Sequence, residues 1–422
     1  MTAIEVSNSS SLGPHPRFPS SVKPGIPKLP ETKSGWSTLT IGKLFDVVER
    51  PVTMRDDEHY RLVTVKRSRG GVVERDILPG RKISVKTQFY VKPGDFLISK
   101  RQIVHGACGF VPEELDGAIV SNEYSVLRCK PIIDPIFLLY LSFTPYFQQT
   151  CFHSSIGVHV EKMIFKLSDW FKWKIRLPSY EEQQKIASFL SAVDSKITKL
   201  REKRELLDTY KRGMMQKLFS QELCFKADDG SEYPEWKPGK LGDYAKFSKG
   251  AGVSRSDISD TGSNLCIRYG ELYTDYSEII TTVISKTNID RYSLILSKAG
   301  DVIIPSSGET REDIATASCV MQSGVALGGD LNILRTNFDG RYLAYYLKNY
   351  KWRDIAAIAQ GSSVVHLYSS QLASLKVEYP VIEEQQKIAD CLSTIDKKID
   401  AVAHQIAQME TFKQGLLQKM FV

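Results

Sequence analysis

No segment of this 422-residue chain has the unbroken apolar run that a membrane-crossing helix needs. The longest apolar stretch, Pro131 to Phe147, is interrupted by Asp134, Ser142 and Thr144 and by Pro135 and Pro145, and it falls short of the ~20 residues that span a bilayer. No membrane partner is expected. An apolar signal segment is also lacking: residues 1–35 are polar and rich in Ser, Pro and Gly, and read as a flexible leader. The seven cysteines are odd in number and none is spaced Cys-x-x-Cys, which argues against a disulfide framework or a structural zinc site and for reduced thiols in a cytoplasmic setting. No metal site is expected. Charge of one sign is hardly in excess: 56 Lys and Arg face 49 Asp and Glu, a net +7 that permits a nucleic-acid partner without requiring one. Signatures of chemistry are missing too. There is no Gly-x-Gly-x-x-Gly after a strand and no Walker A loop. Asp134-Pro135-Ile136-Phe137 lacks the second proline of the amino-methyltransferase tetrapeptide. No catalytic residues are assigned, and a self-sufficient methyltransferase or nuclease is disfavoured.

What is present is repetition. Glu181-Glu182-Gln183-Gln184-Lys185-Ile186-Ala187 recurs 202 residues later as Glu383-Glu384-Gln385-Gln386-Lys387-Ile388-Ala389. The register holds without gaps through Gln216-Lys217-x-Phe219 and Gln418-Lys419-x-Phe421, and Pro178 and Pro380 precede both copies. Fainter echoes lie upstream. Trp36 and Gly42 match Trp236 and Gly242, Gly94-Asp95 matches Gly300-Asp301, and Val126-Leu127-Arg128 matches Ile333-Leu334-Arg335. The chain is a tandem duplication in which a divergent head precedes a closely similar segment. Its blocks are the leader (1–35), a first head (36–180), a first repeated helix (181–223), a second head (224–382) and a second repeated helix (383–422).

Each repeated segment reads as one long helix free of proline. Apolar residues step alternately by four and three through Ile186, Leu190, Val193, Ile197, Leu200 and Leu207, then Met214 and Leu218; the second copy runs Ile388, Leu392, Ile395, Ile399, Val402 and Ile406. This is a coiled-coil seam. It would be wet on a lone helix, so the two copies are expected to pair antiparallel. Lys211 and Lys413 interrupt the seam at the same repeat position, where a polar residue could fix register. The heads read as α+β. Tyr60–Val65, Gly94–Ser99 and Asp301–Pro305 have strand composition, while Pro135–Ser142 and Gly340–Tyr350 look helical.

Polar loops in both heads carry donors suited to phosphates and base edges. The first head offers Lys66, Arg67, Arg69, Arg101, Gln102, Ser154, Ser155 and His159. The second offers Lys249, Arg255, Ser306, Ser307, Arg311, Gln360, Ser362, Ser363 and His366. Any one loop reads as a solvated turn; the set, at similar positions in both heads, is better explained by DNA. The competing reading is a coiled-coil adaptor that binds only proteins.

Two divergent heads, each ending in Pro-x-x-Glu-Glu-Gln-Gln-Lys-Ile-Ala and a helix closing on Gln-Lys-x-Phe, resemble the specificity subunit of type I restriction–modification enzymes. The resemblance implies two globular α+β target recognition domains arranged with pseudo-twofold symmetry around two long antiparallel coiled-coil helices. It implies that each domain reads one half of a bipartite, asymmetric site in double-stranded DNA while the helices set the spacing. It further implies docking of two methyltransferase (modification) subunits and, through the complex, of motor–nuclease (restriction) subunits. The chain would hold no cofactor, S-adenosylmethionine belonging to the methyltransferase subunits. Loops at Gly157-Val158-His159 and Gly361-Ser362-Ser363 would approach DNA.

Overall fold

The structure is a computed structural model that describes residues 27–31, 33–361 and 364–421. It divides into two compact units: residues 1–202 with 403–422, and residues 203–402. Neither unit coincides with a block read from the sequence, because each long helix gives one half to each unit.

In the first unit a four-stranded antiparallel sheet runs in the order Phe45–Val47, Tyr124–Cys129, Asp95–Ser99, Cys108–Phe110. A second sheet orders Val72–Pro79, His59–Val65, Ile119–Ser121 and Gln88–Tyr90. The central strand Asp95–Ser99 is buried at every position, as its continuous Phe96-Leu97-Ile98 run demands. Gly94 supplies the left-handed turn before it at φ +77°. Asp95 accepts the Lys92 N–H at 2.8 Å and pairs with Arg50 and Arg128, each at 2.7 Å. Expected helix Pro135–Ser142 is present with those bounds, capped by Asp134 and opened by a proline at its first position.

The second unit repeats this plan. Its five-stranded sheet orders Ala245–Lys249, Leu331–Thr336, Asp301–Pro305, Ser318–Val320 and Ile279–Ile280, with a three-stranded sheet beside it. Gly300 turns at φ +92°, and Asp301 accepts the Lys298 N–H at 2.8 Å and pairs with Arg335 at 3.0 Å. The helix expected over 340–350 begins α-helical, Gly340–Tyr345, and continues as a π turn, Tyr346–Tyr350.

The long helices span Tyr180–Phe219 and Ile382–Phe421, 40 residues each, or about 60 Å. Paired glutamates in each first turn complement the helix dipole. Within each unit the two halves run antiparallel. In the first, Asp194 meets Lys413 at 2.6 Å and Arg201 meets Glu410; in the second, Lys211 meets Asp396 at 2.7 Å. The seam of the second helix is buried at Ile388, Leu392, Ile395, Ile399, Val402 and Ile406. The first helix keeps Leu190, Val193, Ile197 and Leu200 buried but departs from the expected seam elsewhere. Ala187 takes the buried place beside a half-buried Ile186, Met215 does so beside Met214, and Leu207 is only half-buried. An α-helix drifts against a strict seven-residue repeat, and each half also packs on its own head, so the buried face is wider than a seam. Phe137 and Trp170 join Ala187, Leu190 and Phe421 in one core; Tyr342 and Tyr345 join Phe219, Ile388 and Leu392 in the other.

Of the segment read as a flexible leader, residues 1–26 and 32 lie outside the described residues, and its last residues pack on the first unit. Pro27 is buried, Lys33 donates to the Lys419 and Met420 carbonyls at 2.6 and 2.9 Å, and the Pro30 carbonyl accepts from Arg176. All seven cysteines are free, four of them buried. Among the described residues no helix is long and apolar enough to cross a membrane, and no cluster of His, Cys, Asp and Glu could hold a metal ion.

Candidate nucleic-acid interface

The repeated motif bolts each head to its helix through the same side chains. Gln183 accepts the Asp134 N–H at 2.9 Å and donates to the Ile132 and Pro178 carbonyls. Gln385 accepts the Asp339 N–H at 3.0 Å and donates to the Pro380 carbonyl. Trp36 donates to Glu182 at 3.2 Å, and in the second copy burial pushes the Glu384 carboxyl upward against the pull of the Trp236 indole. Tyr140 donates to Asp194 at 2.7 Å, and Tyr345 donates to Asp396. Each head is thus held on a rigid element.

In the first unit, two loops and a hairpin converge. The loop at 66–71 is stitched to the loop at 100–106 by Ser68 N–H to His105 O at 2.7 Å and Arg69 N–H to Gly106 O at 2.9 Å. Ser68 and Arg69 both hold left-handed backbone, φ +55° and +54°, a costly pair of conformations away from glycine. The hairpin Ser155–Ile156 with Ile164–Phe165 joins them, its Phe165 N–H bonding Lys100 O at 2.8 Å. Lys66, Arg67, Arg101 and His159 are exposed on this surface and Gln102 is half-exposed. Arg67 donates to Gln102 at 2.9 Å, and Arg101 grips Glu123 with two bonds at 2.6 and 3.2 Å.

Three expected donors are corrected. Arg69 is only 2% exposed. Its guanidinium bonds Gln148 at 3.0 Å and lies over the Phe143 ring, and Gln148 in turn donates to Val104 O at 2.6 Å. Desolvation lowers its pKa to about 10, so it stays charged at neutral pH. It builds the platform rather than facing DNA. Ser154 accepts from the Trp173 indole at 2.9 Å, and Ser155 donates to Cys151 O at 2.8 Å; both are buried and anchor the base of the hairpin.

In the second unit the cluster is built differently. Gln360 and His366 exchange backbone bonds at 2.9 and 2.6 Å around Gly361, whose φ of +116° suits only glycine and where a side chain would strike the Val364 carbonyl. Ser307 pairs with His366 and its carbonyl accepts from Tyr273 at 2.8 Å. Lys249 lies 5.9 Å over the Tyr368 ring, which stacks on His366. Lys249, Gln360, His366 and Arg311 are exposed; Arg311 opens a short helix packed beside this strand pair. Ser306 is a correction: it is buried, and its backbone bonds Asp330 and Leu367. Arg255 is exposed on a separate turn that joins the strand Ser285–Thr287 through Ile258 and Ser259. Ser362 and Ser363 lie outside the described residues. Tyr273 and Tyr368 join this cluster beside the polar loop residues, and the spacing His366-x-Tyr368 is a sequence signal for the second of them.

The family described as "Type I restriction modification DNA specificity domain" matches residues 33–208 and again 233–411. The chain belongs to this family. Each match to the specificity family takes in a head and most of the helix after it, so the unit of duplication is cut across by the unit of folding. The chain is 23% identical over 409 residues to the type I restriction enzyme MjaVIII specificity subunit of Methanocaldococcus jannaschii, covering 90% of this chain and 91% of that one. Its fold is similar to the HsdS subunit from Thermoanaerobacter tengcongensis, with TM-score 0.50, 20% identity and coverage of 94% and 98%. It is likewise similar to the type I restriction-modification S subunit from M. genitalium, with TM-score 0.57, 16% identity and coverage of 94% and 99%.

Proposed function

We propose that this specificity-family chain is the DNA-reading subunit of a type I restriction–modification complex. Each loop cluster reads one half of a bipartite, asymmetric site, and the long helices set the distance between halves. The observation that carries this reading is that each unit presents its own exposed donor cluster, differently built, on a head bolted to the helices by the same repeated side chains. Different clusters on equivalent mounts are what an asymmetric target calls for. The chain itself is non-catalytic and works in the cytoplasm. Two methyltransferase subunits dock on it and bring S-adenosylmethionine, and motor–nuclease subunits join the complex.

Mapping methylated adenines in DNA from cells with and without the gene tests the whole reading. One bipartite motif should disappear with the gene. Arg67→Ala should relax recognition in one half of that motif and Arg311→Ala in the other; no change in the methylation map on deletion would refute the proposal.

A further inference from the structure

Among the converging groups of the first unit, one has the wrong sign for a DNA-reading surface. Glu161 sits at the exposed tip of the hairpin, in the short turn Val160–Lys162, with its side chain 62% exposed. It reaches back to the platform and joins both loops. Its Oε2 accepts from Arg67 at 3.0 Å, and its Oε1 lies 3.1 Å from His105 Nε2. Each carboxylate oxygen therefore faces a nitrogen from a different loop.

That is the arrangement a phosphodiester would meet, since it too presents two anionic oxygens from one centre. The receiving groups are set in advance. Gln102 accepts from Arg67 Nε and aims the guanidinium, and the His105 carbonyl holds Ser68 N–H at 2.7 Å. Buried Arg69 ties the two loops together from below through Gln148 and Val104. The occupant is the least constrained part: an exposed side chain on a hairpin tip. Exposed ion pairs are weak, so a stronger anion can replace this one.

We propose that the Glu161 carboxylate occupies a DNA phosphodiester site formed by Arg67 and His105, and that DNA binds the first unit by displacing it. The inference rests on the DNA reading above and adds a step to it. Displacement frees the tip, which carries Val158, 96% exposed, and the exposed His159 and Lys162, to move with the incoming strand. These contacts of Glu161 lie in the first unit. In the second unit the residues between Gly361 and the strand Val365–His366 are 362–364, against 158–163 between Gly157 and the strand Ile164–Phe165 here, and the sequence 362–364 includes no acidic residue.

The test uses the full chain, a mixed-sequence DNA duplex and fluorescence anisotropy over a range of salt. Glu161→Gln should tighten binding about two- to fivefold at low salt. Arg67→Ala should weaken binding and reduce the salt slope by about one. In the Arg67→Ala background, Glu161→Gln should give little or no gain. Glu161→Ala serves as a second removal of the charge, and melting curves check that all variants fold. Unchanged or weaker binding by both Glu161 variants in folded protein overturns the inference, as does a gain that persists in full without Arg67. Absence of salt-dependent binding by the unaltered chain would instead overturn the DNA reading and this inference with it.

Discussion

Lys211 is buried where the first long helix meets the second, an expensive place for an ammonium unless its charge is answered there. It is answered by Asp396 at 2.7 Å and Glu278 at 3.0 Å, and the Tyr345 ring lies beneath it. Burial alone would lower the Lys211 pKa, but the two carboxylates outweigh it and the net shift is upward. Burial would raise Glu278, but Lys348, Lys211 and Asn349 prevail and bring it down to about 2. Lys211→Met removes the countercharge of buried Glu278 and half-buried Asp396 and should cost about 3–5 kcal/mol, read as a lower denaturant midpoint. Glu278 adds a pH dependence of known sign. Its folded pKa lies below the unfolded value, so its stabilisation is complete above about pH 4.5 and is lost as pH falls towards 2. Glu278→Gln should flatten that acid limb of the stability profile. Arg69 makes a contrasting case. Arg69→Ala removes the post under two loops and leaves Gln148 short of a partner, so it should destabilise the chain by about 2 kcal/mol or more, whereas exposed Arg67→Ala should leave melting unchanged. The placement of Lys211 and Lys413 in the helix pair was legible in the sequence, because both break an apolar seam at one repeat position; the acids that answer them were not. The role of Arg69 was not. A basic Gly-rich loop reads the same whether its arginine points out or in, and only the paired left-handed residues at 68 and 69 decide it.

The long helices were the most legible elements, since an exact 202-residue repeat of an apolar seam leaves few alternatives. What the repeat concealed was the double duty of each seam. Ala187 and Leu190 face a head core as well as Phe421, and the repeated Gln183 and Gln385 serve the heads rather than the helix pair. Periodicity records which face is buried and not against what. The sheets were legible only at their centres, as at Asp301–Pro305, where burial on both faces leaves a continuous apolar run. Two-residue strands such as Val365–His366 have no period to read. If the helices act as the spacer, removing one matched heptad from each shortens it by about 10 Å, or about three base pairs. The methylation map should then show both half-sites intact with a shorter gap between them; altered half-site sequences at the original gap would contradict the spacer role.

At the scale of the whole chain, the small net charge of +7 hides a difference between the heads, the first being basic and the second slightly acidic. The loop cluster of the first unit accordingly holds its exposed cations with internal acids, Arg101 by Glu123 and Arg67 by Glu161, while that of the second is built more from tyrosines, His366 and a positive-φ glycine. Net charge was therefore a poor guide to function here, and duplication a good one. The division of the helices has a consequence of a different kind, in the order of synthesis. The second unit is one continuous stretch, residues 203–402, and has all its parts as soon as it leaves the ribosome. The first unit begins earlier but needs residues 403–421, including Phe421 in its core and Lys413 against Asp194. Through the translation of some two hundred residues its helix has its own head to pack on but lacks the partner half at 403–421. Chains released at residue 402 should therefore protect amide hydrogens in 203–402 and exchange them quickly in the first unit, so that the earlier-born half is the one finished last.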